Sequence, residues 1–107
     1  MRKVPTYKDF EKQFPDYIII QKSGCFYEAY GKSAVVLSRE LEYKLYENYY
    51  GKLTAGGPDC DKIMRILRAE DYSFLIVEDN KIADGHSGRN PFGEKQIMAI
   101  TNKISLS

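Results

Sequence analysis

The chain has 107 residues, enough for one hydrophobic core and too few for two. Its content of 43% hydrophobic and 29% charged residues excludes a globally disordered chain, and no apolar run approaches the roughly 18 residues a membrane helix needs. Sixteen basic against fifteen acidic side chains leave a net charge of +1, which excludes a phosphate-binding field spread over the whole surface; a basic patch would have to be assembled by folding.

Thr6 followed by Tyr7, Phe10 and Phe14 has helical spacing, with Asp9 and Glu11 in the early turns. Thr6 is the expected cap and Pro15 the stop. Tyr17-Ile18-Ile19-Ile20 is a continuous β-branched run and predicts a strand buried on both faces. Lys22-Ser23-Gly24 is read as its break, and Cys25 through Tyr30 as a second strand, turned by Gly31. From Ser33 to Leu41 the spacing of Ala34, Leu37 and Leu41 predicts a helix with Arg39 and Glu40 outside. Tyr43 to Tyr50 carries aromatics on both alternating sets, so a strand is expected with its inward face undecided.

Leu53 to Pro58 reads as a short strand or loop that ends in Gly-Gly-Pro. Asp59 or Asp61 then caps a helix through about Ala69, with Ile63, Ile66 and Leu67 inward. Tyr72 to Glu78 is the next buried strand, ended by Asp79-Asn80. Gly85 through Pro91 reads as a polar loop, and Ile97, Met98, Ile100 and Ile104 as a last element. Strands alternating with helices predict an α/β domain, a mixed β-sheet covered by helices. The opening residues Met1 to Thr6 lack the apolar stretch of a signal peptide, which predicts a cytoplasmic protein.

Cys25 and Cys60 cannot frame a disulfide scaffold, and with one histidine they make a poor zinc site. Cys60 lies near a predicted helix start, where a thiol pKa can fall. Packing as a small inert residue is the favoured reading of both.

The segment Gly24-Cys25-Phe26-Tyr27-Glu28-Ala29-Tyr30 resembles the Gly-Asp-Phe-Tyr-Glu-hydrophobic-Phe/Tyr segment in the N-terminal, mismatch-recognition domain of the MutS DNA mismatch repair family. Its flanks agree: an aromatic helix and Phe14-Pro15-Asp16-Tyr17 precede it, and a helix like that of residues 32–41 follows. Thr54-Ala55-Gly56-Gly57-Pro58 is similar to the family's Met-Ala-Gly-Val-Pro ahead of a helix. Asp71 through Asp79 resembles its Gly-Tyr-Lys-Val-Ala-Ile-Cys-Glu-Gln strand. The correspondence runs in order over residues 6–80 or so.

The resemblance implies a MutS domain I-like fold over residues 1–107, freestanding or excised, with a tail that diverges from about residue 81. It implies a DNA-binding module that probes mispaired or distorted double-stranded DNA, with other repair proteins as further partners and no membrane. By that resemblance Phe26 stacks as a wedge at the mispaired base and Glu28 hydrogen-bonds it. Positions i and i+2 of a strand share a face, so ring and carboxylate would be presented together. The ordinary alternative is a core phenylalanine and a solvated strand glutamate. Cys25 departs from the family's Asp, and Lys81-Ile82-Ala83-Asp84-Gly85 departs from its basic segment ending in Thr-Pro-Gly. The chain holds no Gly-x-x-x-x-Gly-Lys-Ser/Thr, so ATP-driven signalling is not carried over. No catalytic residue, cofactor or metal is expected.

Competing patterns were weighed against this reading. Pro58-Asp59 with Asp79-Asn80-Lys81 fits the short Pro-Asp…Asp/Glu-x-Lys pattern of Mg²⁺-dependent nucleases, although a cap and a turn explain both aspartates. His86 reads as a solvated loop histidine. Tyr43, Tyr46, Tyr49 and Tyr50 form either a stacking platform for single strands or, as favoured, a packed sheet face. The same aromatics suit a protein partner. A protein-interaction domain that keeps the fold without DNA contact is therefore the alternative function.

Overall fold

The computed structural model describes residues 4–92; the last expected element, carrying Ile97 to Ile104, lies outside them. Helix α1 spans Tyr7–Gln13. Thr6 caps it through a reciprocal capping box with Asp9, which satisfies donors that the first turn leaves open. Pro15 follows two residues after the helix ends and cannot continue it.

Strand β1, Ile18–Ser23, runs on through Lys22 and Ser23, past the expected break. The turn falls at Gly24-Cys25, because Ser23 pairs directly with Phe26 of β2, Phe26–Tyr30. Gly24 sits at φ 62° and Cys25 has negative φ, the pattern of a two-residue hairpin that wants glycine first. Helix α2, Lys32–Leu41, buries Ala34, Val36, Leu37 and Leu41.

The strand expected over 43–50 shrinks to β3, Tyr46–Glu47. Its hairpin partner is β4, Leu53–Gly57. Asn48 explains the early end: its Oδ1 accepts from the amides of Tyr50 and Lys52, which folds residues 48–52 into a tight loop instead of a strand. Helix α3, Cys60–Ala69, is capped by Asp59, whose Oδ1 accepts from the Lys62 amide at 3.0 Å. Ile63 and Leu67 are fully buried; Ile66 packs at the margin.

Strand β5, Phe74–Glu78, is buried on both faces as expected. It turns back into β6, Lys81–His86, so Gly85 and His86 belong to a strand and not to the expected loop. Asp79 and Asn80, at φ 50° and 61°, make the two-residue turn, the left-handed pair that favours Asp and Asn after Gly. The register slips between Ile76 and Val77, leaving Ala83 as an extra residue.

The six strands are ordered β3-β4-β2-β1-β5-β6. Only β1 and β5 pair in parallel; every other neighbouring pair is antiparallel. The mixed sheet separates two cores. On one face Ile18, Ile20, Ala29, Ala55, Phe74 and Ile76 meet α2 and α3. On the other, Ile19, Leu75 and Val77 meet Tyr7 and Phe10 of α1. Since α1 is only 7 residues long, among the described residues it covers one end of that second face and leaves the rest of it open. Among the described residues no helix is long and apolar enough to cross a membrane.

Candidate nucleic-acid interface

The open part of the second face is built by β2. Tyr27 and Ala29 point to the α2–α3 side, where both join or line the larger core. By strand alternation Phe26, Glu28 and Tyr30 point to the other. Tyr30 lies under α1, its ring edge-on to Tyr7 at 4.8 Å. Phe26 begins the strand beside the hairpin turn and is 49% exposed. It is not a core phenylalanine. Glu28, between them, is half-buried.

Glu28 stands opposite Gln21 on β1 and Gly56 on β4. Gly56 has no room for a side chain: a Cβ there would lie 2.3 Å from the Tyr27 carbonyl oxygen and 3.1 Å from Cγ of Glu28. Tyr46 reaches over β4 from β3, and its hydroxyl donates to Oε2 of Glu28 at 3.3 Å. The Tyr46 phenol is pushed up by burial and then by the Glu28 charge, so it keeps its proton and acts as the donor. An open groove of about 560 Å³ continues along this face, lined by Tyr7, Gln21, Tyr30, Tyr50, Lys52 and Asn80 among others.

The sequence reading did not foresee the partnership of Tyr46 with Glu28. Its one available signal was the Gly56-Gly57 pair inside a strand, since glycine there marks a close approach. At Gly57 the approaching group is the Tyr43 ring, 2.7 Å from where a Cβ would be. The four tyrosines therefore divide: Tyr43 packs on the α3 side, Tyr46 reaches Glu28, and Tyr49 and Tyr50 stand 96% and 83% exposed. The favoured expectation of a packed tyrosine face fails for the last two, because the Asn48-centred loop ends the strand before them.

Other residues singled out from the sequence are placed as follows. Cys25 is exposed at the hairpin tip, against the expectation of packing, because a two-residue turn leaves nothing to cover it. Cys60 is partly buried at the first position of α3. Burial, followed by the charges of Glu78, Asp61 and Asp84, pushes its thiol up and away from reactivity. His86 ends β6, and its Nε2 lies 2.9 Å from Oδ1 of Asp71; it is not a free loop residue. Asp59 is occupied as a cap, Asp79 lies in a turn, and β2 and β1 separate the strands that lead to them. Among the described residues no three His, Cys, Asp or Glu side chains gather as a metal site.

A family model described as MutS domain I matches residues 3–100. The chain belongs to the MutS domain I family. This match covers nearly the whole chain, and the mixed, helix-covered sheet is the fold expected of that domain. No curated protein sequence matches the chain. MutS domain I is the mismatch-repair, DNA-binding class of domain that the Gly24–Tyr30 segment resembles.

Proposed function

We propose that this MutS domain I chain binds mispaired or distorted duplex DNA through the open sheet face, with Phe26 as the wedge and Glu28 as the group that meets the displaced base. The observation that carries the reading is the shared placement of the two side chains, with Phe26 at the end of β2 and half exposed on the face that α1 leaves uncovered. A side chain wedged between base steps unstacks them at a cost of a few kcal/mol. A mispaired step has less stacking and pairing to lose, so the same insertion discriminates by deformability and not by base sequence. The Glu28 carboxylate, repelled by phosphates, gains only where an unpaired base edge offers a donor or where it takes up a proton, and both add selectivity.

The net charge of +1 allows few phosphate contacts, so affinity for paired duplex is expected to be weak, with a shallow salt dependence. Binding to a duplex with one mispair, compared with its paired counterpart over a salt series, tests the proposal. A preference for the mispaired duplex that Phe26→Ala removes supports it; equal binding to both sinks it. Tyr49 and Tyr50, exposed together with rings 5.4 Å apart, favour a second reading, in which the loop docks a repair protein. Loss of a partner from pull-downs with Tyr49→Ala, with mismatch binding unaltered, distinguishes the two surfaces.

A further inference from the structure

Glu28 and Tyr46 are 18 residues apart in sequence and two strands apart in the sheet. Tyr46 pairs with Thr54, and Glu28 pairs with Gly56. The side chain of Tyr46 therefore crosses β4 diagonally to reach the carboxylate. A flexible carboxylate on an open sheet face would normally sample many rotamers, and ordering it on binding would cost affinity. Here one oxygen, Oε2, already has a donor, and among the described residues the other remains available to a ligand.

We infer that Tyr46 is a positioning residue for Glu28, holding the carboxylate in one orientation on the face that meets DNA. The inference rests on the reading of Glu28 as the base-contacting group.

The test measures affinity for a singly mispaired duplex and for its paired counterpart, for the parent chain, Tyr46→Phe, Glu28→Ala and the double variant, with thermal melting as the check on folding. The expected result is a drop of about fivefold in the mispaired-to-paired affinity ratio for Tyr46→Phe, the size of one modest hydrogen bond. Melting should stay at the parent value, and Tyr46→Phe should add nothing in the Glu28→Ala background. If Glu28→Ala lowers the ratio while Tyr46→Phe leaves it unchanged, the positioning role is overturned and the Glu28 reading stands. If Tyr46→Phe still lowers the ratio without Glu28, Tyr46 acts on DNA directly and the inference is equally overturned. If Glu28→Ala leaves the parent ratio intact, the base-contacting reading itself fails and this inference falls with it.

Discussion

The hydroxyl of Tyr7 donates to the carbonyl of Ile19 at 2.7 Å. The same oxygen accepts from the amide of Tyr30 at 3.0 Å, so a side chain from α1 stands between two backbone groups of neighbouring strands. The Ile19 amide, likewise, donates to Oγ of Ser33 at 3.1 Å and not to a strand. At this end of the sheet, backbone groups of β1 and β2 are completed by α1 and α2. Tyr7→Phe removes the bridge and leaves a buried carbonyl and a part-buried amide unpaired. A loss of about 1–3 kcal/mol of unfolding free energy is expected, read by urea denaturation. A change under 0.5 kcal/mol would mean that β1 and β2 close on each other without the tyrosine.

Phe26→Ala separates the two roles that a strand phenylalanine can have. An exposed ring that serves DNA leaves stability within about 0.5 kcal/mol when truncated, whereas a core ring costs about 3–5 kcal/mol. With Phe26 49% exposed, the expected outcome is near-parental melting together with loss of mismatch preference. Large destabilisation would return the residue to the core.

Gly56→Ala is expected to damage the sheet and the site at once. The new methyl would sit 2.3 Å from the Tyr27 carbonyl oxygen, a backbone atom that cannot swing aside. A cost of about 1–3 kcal/mol is expected from overpacking, measured by thermal melting, and the Glu28 side chain would be pushed from its present position. Parental stability in this variant would contradict the tight β2–β4 approach.

Alkaline pH should weaken the fold. The hydrogen bond from Tyr27 to Oε1 of Glu78, at 2.9 Å, together with burial, raises the Tyr27 phenol from 10.0 to about 12. Burial raises the Tyr7 phenol as well. Both groups keep their protons in the folded chain at a pH where the unfolded chain has lost them. Their contribution is thus complete below pH 10 and declines as pH rises toward 12. Denaturation midpoints at pH 8, 10 and 11 check the sign, and Tyr27→Phe should reduce the decline. A midpoint that rises between pH 10 and 11 would contradict it.

Local chemistry made much of this fold legible in the sequence alone. The Thr6–Asp9 box, the Asp59 cap and the apolar spacing of α2 and α3 act within a few residues, so neighbouring letters suffice to read them. The runs Ile18–Ile20 and Phe74–Val77 declare strands buried on both faces, which implies a sheet with helices on each side. The Gly24–Tyr30 segment gave the family and the placement of Phe26 and Glu28 together. Tertiary structure alone decided β6, whose residues Lys81 to His86 carry no strand alternation and are ordered by hydrogen bonds to β5. It also decided the fate of the tyrosines, because a ring that packs, one that bonds a carboxylate and one that meets water have the same local spacing. The Tyr46–Glu28 contact was beyond sequence reading for the same reason. It depends on strand order and on register, which come together only when the sheet forms.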